Sequence, residues 1–191
     1  MTWRNTEFEF GGVNHLALVC SDMQRTVEFY TEILGMRLVK TIDLPMDAGQ
    51  HFFFDMGGGN LLAFFWFKDA PDAVPGVSTA TTSPGIGDFT TAVGTMNHVA
   101  ISVPEERFLE YRAKLKSKGV KVAPIIDHDD SPMGYAPEFH DGVYIRSFYF
   151  QDPDGILLEF ACWRRELAQP GDVGHTPKTN ADRRPRSAST V

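Results

Sequence analysis

The sequence predicts an α+β fold in which one β-α-β-β-β unit is used twice. Three observations carry this reading. Residues 13–19, VNHLALV, return at 96–103 as MNHVAISV. Each copy is followed by a stretch with helical spacing that stops at a glycine, Gly35 or Gly119. Each copy closes on two strand-like runs joined by strong turn chemistry, GGGN in the first and DPDG in the second.

The elements follow in order. In the first copy, Ser21 and Asp22 form a helix start signal, and Met23, Val27, Tyr30 and Leu34 recur at helical spacing. In the second copy Pro104 opens the helix, and Phe108, Tyr111 and Leu115 repeat the pattern. The runs MRLVKTIDLP and VKVAPIIDHDD each predict a strand after the helix. The closing pairs are QHFFFDMG with NLLAFFWF, and VYIRSFYFQD with ILLEFACW. This divides the chain into a first module at 12–68, a linker at 69–94 rich in Gly, Pro, Ser and Thr, a second module at 95–163, and a polar arm at 164–191. The arm is expected to extend over a partner subunit and to end in a disordered basic terminus.

With 191 residues, 42% of them hydrophobic, the chain is long enough to bury a sizeable core. A formal net charge of -7 argues against a nucleic-acid partner. No apolar run is long enough for a membrane-spanning helix, and the first residues lack an apolar signal core, so a cytoplasmic protein is expected. Cys20 and Cys162 lie in separate apolar stretches and read as buried reduced thiols.

Strand alternation selects the residues that can carry chemistry. His98 shares a face with Met96, Ala100 and Ser102, while Asn97, Val99, Ile101 and Val103 face the helix layer. His15 holds the equivalent place in the first copy. Glu159 alternates with Leu158 and Phe160, so it also turns away from the helices. A carboxylate among apolar neighbours is costly unless it is paired or binds a metal. His15, His98 and Glu159 together make a 2-His-1-carboxylate set, suited first to Fe(II) and also accepting Mn, Zn, Ni or Co. Of the other histidines, His51 is placed at the pocket edge, His128 in a solvated polar loop, and His175 in the arm. The fifteen Phe residues include a cluster at 52–54 and 64–67 that fills the core and lines part of the pocket, favouring an aromatic substrate.

These features resemble the vicinal oxygen chelate superfamily, which includes glyoxalase I, fosfomycin-resistance proteins and type I extradiol dioxygenases. The resemblance covers about residues 12–163 and implies an open eight-stranded cup, formed by two paired βαβββ modules around a metal site. It places the metal ligands at His15, His98 and Glu159, with Ala63 standing where a fourth ligand would fall. The segment HDGVYIRSFYFQDPDGILLE, residues 140–159, is similar to the extradiol dioxygenase signature, with Glu138 as a departure. By that similarity His140 and Tyr149 are the catalytic groups that handle protons. The implied activity is a metal-dependent dioxygenase that cleaves a catechol-like ring with O2, working as a homodimer. The alternatives are a glyoxalase-like lyase or isomerase, and a cup that sequesters a drug without turnover.

Overall fold

The structure, a computed structural model, describes residues 7, 8 and 10–183. Strand β1 (His15–Val19) leads to α1 (Met23–Glu28), which continues over Phe29–Ile33 with the wider pitch of a π-turn. Asp22 caps this helix by accepting the N–H of Arg25 at 3.0 Å. Strands β2 (Arg37–Asp43), β3 (Gly49–Gly57) and β4 (Asn60–Phe67) complete the first module. The second repeats it with β5 (Val99–Ser102), α2 (Phe108–Ser117), β6 (Ile126–His128), β7 (Ile145–Gln151) and β8 (Leu157–Trp163). Gly35 and Gly119 lie just beyond the two helices at φ of 74° and 83°, a conformation costly for any residue with a Cβ.

The eight strands form two four-stranded sheets of the same plan, β1-β4-β3-β2 and β5-β8-β7-β6. In each, the first strand runs parallel to the last and the remaining pairs are antiparallel. The internal repeat is thus a repeat of topology and register. Ala17 pairs with Ala63 as Ala100 pairs with Glu159. The two sheets do not close into a barrel within the chain. Strand β6 is shorter than its sequence run predicts. Val122 makes an isolated bridge to Phe150, and Pro124, which has no N–H to donate, interrupts the ladder before it resumes at Ile126.

One core joins the modules. Tyr30, Phe54, Leu62 and Phe64 of the first pack in the same buried cluster as Phe108, Phe148, Phe150 and Leu158 of the second. Each of these strand residues sits on the face opposite the candidate site residues. Cys20 and Cys162 are buried and free, as expected. The segment after β4 crosses to the second module, where Ala80 packs against Tyr149 and Leu157. Within the arm, Arg165 grips Asp172 with hydrogen bonds of 2.7 and 3.0 Å. The arm's expected disordered end, from residue 184, lies outside the described residues. No helix among the described residues is long and apolar enough to cross a membrane.

The DPDG turn locks the modules together. Asp154 accepts hydrogen bonds from Arg25 at 2.8 Å and from the Ser21 N–H at 3.0 Å. Asp152 is 6% exposed; its Oδ1 accepts the N–H groups of Asp154 and Ile156, and its Oδ2 accepts the Tyr30 hydroxyl at 3.2 Å. Burial pushes the Asp152 carboxyl up to about 6, against the pull of those two N–H groups. The folded chain therefore holds this proton more tightly than the unfolded chain does. Stability from this group is present at low pH and falls as pH rises through about 6. An Asn at this position keeps the Oδ1 acceptor and offers its amide to the Tyr30 oxygen without any charge. Asp152→Asn should raise the melting temperature at pH 8 by at least about 3 °C, with the gain disappearing below pH ~4. Thermal melts across that range check this, and parallel profiles for the two proteins would refute it.

Candidate metal centre

His98 directly precedes β5, and the pairing of β5 with β8 and of β8 with β7 brings three side chains to one face. His98 Nε2 stands 3.1 Å from Glu159 Oε2, and the Tyr149 ring meets the His98 ring edge-on at 5.6 Å. The preceding residue, Asn97, decides which ring nitrogen is bare. Its amide nitrogen donates to the Phe89 carbonyl at 2.8 Å, which identifies the other end as the oxygen, 2.8 Å from His98 Nδ1. An amide oxygen only accepts, so Nδ1 carries the hydrogen. In the neutral ring, Nε2 then presents a lone pair to a carboxylate oxygen. Two lone pairs at this distance repel unless a cation, either a proton or a metal ion, sits between them. Fixing a histidine through its second nitrogen is also how proteins orient metal-ligating imidazoles.

The acid is prepared for the same role. Glu159 is 5% exposed. Burial pushes its carboxyl up, but His98, Ser147 and Tyr149 outweigh this and hold it below the usual range, so it is ionised. The Tyr149 hydroxyl is pushed up to about 12, first by burial and then by the Glu159 charge, so it stays a proton donor. Ser147 is fully buried on the same face of β7, with its Oγ 3.2 Å from His128 Nε2.

The first sheet repeats part of this arrangement. His15 Nδ1 lies 2.8 Å from Asn14 Oδ1, the contact that His98 makes with Asn97. Ala63 occupies the register of Glu159, so the carboxylate has no counterpart. An aromatic row crosses the His15 face instead. Phe67 stacks on Phe65 at 5.1 Å, Phe65 on His51 at 3.6 Å, and Phe53 lies between His51 and His15. The Phe cluster thus divides by strand parity, with Phe52, Phe54 and Phe64 in the core and the rest on this face. His51 Nε2 is buried without a hydrogen-bond partner among the described residues. Burial, and secondarily His15, lowers the His51 pKa, which keeps the ring neutral at neutral pH.

The structure brings together His98, Glu159 and Tyr149 of the residues singled out from sequence. It does not bring His15 to them within one chain. Among the described residues, no three His, Cys, Asp or Glu side chains gather closely enough to hold an ion. The reason is the shared core. The modules pack through their helix-side faces, so their histidine faces turn outward from it. His140 engages other groups. Its Nδ1 accepts the Gly142 N–H at 3.0 Å, so Nε2 carries the hydrogen, 3.2 Å from Asp129 Oδ2.

His128 corrects an expectation. It is not a solvated loop residue but the last residue of β6, half-buried, with Nε2 3.2 Å from Ser147 Oγ. The strand-like run VKVAPIIDHDD contains it, but its acidic neighbours suggest a place in solvent. The two asparagines escaped the sequence reading as functional residues, although their repetition before both histidines was the signal.

The profile of the Glyoxalase/Bleomycin resistance protein/Dioxygenase superfamily matches residues 12–160. The chain is 29% identical over 147 residues to the glutathione transferase FosA of Serratia marcescens, covering 77% of each. It is 28% identical over 115 residues to the putative ring-cleaving dioxygenase MhqE of Bacillus subtilis. That match covers 58% of this chain and only 33% of the relative. The fosfomycin resistance protein FosX of Listeria monocytogenes, solved with Mn(II) and sulfate, shares the fold with a TM-score of 0.51 and 19% identity, over 83% of this chain and 95% of that one. The matched span takes in both modules and their candidate ligands, and the chain belongs to the Glyoxalase/Bleomycin resistance protein/Dioxygenase superfamily.

Proposed function

We propose that the protein is a metal-dependent dioxygenase that cleaves a catechol-like aromatic ring, and that it works as a homodimer. The ion is held by His98 and Glu159 of one copy and His15 of a second. The observation that supports this is His98 Nε2 standing 3.1 Å from the buried Glu159 carboxylate while Asn97 holds its Nδ1 hydrogen, a contact that needs a proton or a metal ion between the two. His15 sits against the same kind of neighbouring asparagine, yet among the described residues no group of metal-ligating side chains forms around it. Packing the first sheet of one copy against the second sheet of another joins the two halves and covers the exposed aromatic row.

When bound, Fe(II), or Mn, Zn, Ni or Co on the same donors, supplies a Lewis-acidic anchor for two neighbouring substrate oxygens and, for iron, a place for O2. The chain's own residues do the rest. Tyr149, protonated at neutral pH, donates to a substrate oxygen. His51, neutral and with a free nitrogen, accepts a proton from a substrate hydroxyl. The Phe53, Phe65 and Phe67 rings receive a flat aromatic substrate and exclude water. His140, oriented by Asp129, is the further proton-handling group by its place in the 140–159 motif. The likeness to MhqE supports the oxygen-dependent reading. The more even coverage of FosA favours a second one, in which the ion acts as a Lewis acid for transfer or isomerisation without O2.

Two measurements check these readings. Protein loaded with iron under anaerobic conditions should consume O2 when given a panel of catechols, with the absorbance of a ring-opened product. Turnover of a thiol-dependent substrate with no O2 uptake would instead establish the second reading. For the shared site, His15→Ala and Glu159→Ala, each purified alone, should lose bound metal. A mixed dimer isolated through two different tags should regain about half the wild-type content, because one of its two sites is complete. A mixed dimer that holds no metal would refute the sharing of ligands between copies.

A further inference from the structure

We infer that the protein carries a second binding site, on the helix side between its two modules, for an amphipathic carboxylate of the medium-chain fatty acid class. The site lies apart from the histidine faces and does not rest on the metal reading. A cavity of about 540 Å³ opens where the end of the first helix and the β2–β3 pair meet α2 and β5. That size is within the range in which proteins hold small molecules. Its floor is an edge of the shared core. Val103 and Leu115 are buried there, and Leu34, Ile101, Tyr111 and Phe160 pack against the same cluster. Lys118 ties the two walls together by donating to the carbonyls of Glu32 and Ile33 at the end of the first helix, the second at 2.9 Å.

The rim supplies the charge. Arg37 comes from the first module and Lys114 from the second; both are exposed, and neither makes an ion pair among the described residues. The acids beside them hold other partners. Asp55, opposite Arg37 across the β2–β3 ladder, accepts the N–H of Gly57 at 2.8 Å. Glu110, one turn before Lys114 on α2, accepts two hydrogen bonds from Arg107 at 2.5 and 2.6 Å. Lys118 adds a third positive charge at the same mouth. In a chain with a net charge of -7, three cations around one apolar cavity are a local reversal of sign. An apolar floor under a cationic rim complements a molecule with an apolar body and an anionic head. A guanidinium fork receives a carboxylate through two parallel hydrogen bonds, and an ammonium adds a point charge. A neutral apolar molecule gains nothing from the cations, and a small anion leaves the floor in water.

Decanoate is the probe, titrated into the full-length chain with a chelator present so that no metal ion holds its carboxylate. Methionine methyl signals in NMR locate it. Met36 and Met56 line the cavity, whereas Met46 and Met133 are exposed elsewhere. The signals of Met36 and Met56 should shift and saturate while those of Met46 and Met133 stay in place. Arg37→Ala combined with Lys114→Ala, both on the surface, should weaken decanoate binding about tenfold, the scale of losing a hydrogen bond to a charged group. Decanol, which has the same chain and no charge, should bind the wild type about as weakly. Four results would each overturn the inference: no saturable shift, a shift confined to Met46, decanol binding as tightly as decanoate, or a double variant that binds decanoate as the wild type does.

Discussion

The amide oxygen of Asn97 holds the Nδ1 hydrogen of the His98 ring and so turns Nε2 toward Glu159. The rest of the site follows from that hydrogen bond. Nε2 stands 3.1 Å from a buried carboxylate, a contact that needs a proton or a metal ion between the two. The neighbours of that carboxyl hold it below the usual range, so it is ionised. The same dipeptide in the first module sets His15 Nδ1 against Asn14.

The second constraint is the common core. A four-stranded sheet with one helix covers only one of its faces, and the two modules solve this by packing covered face to covered face through Tyr30, Phe54, Phe148 and Leu158. The Tyr30–Asp152 and Arg25–Asp154 contacts fasten that arrangement. Its cost is that the histidine face of the first sheet is left open, while the segment after β4 packs on Tyr149 in the second. Phe67 and Val19 on the first sheet are 38% and 50% exposed, an unusual amount of apolar surface for a face meant to stay in water.

Much of this was legible in the sequence, because period and parity are local. The alternation around His98 and Glu159 named the correct face, and the Asn-His repeat gave the matching register of the two modules. The relation between the sheets was not legible, since no periodicity records which faces of two similar modules meet. The recognition of an eight-stranded α+β assembly held, but within a single chain the strands remain two separate sheets. His128 was misplaced for a smaller reason. The strand-like run VKVAPIIDHDD contains it, but its acidic neighbours suggest solvent, whereas it ends the short β6 and is half-buried.

Ala63 deserves its own reading. The first module offers one nitrogen donor and the second offers a nitrogen and an oxygen, because a methyl group stands where a duplicated acid would be. If ligands are shared between copies as proposed, ion retention would be linked to protein concentration by mass action. Dilution that separates the copies would also release the ion, and excess ion would draw them together. The alanine at that register would then tie the loading of the protein to its abundance.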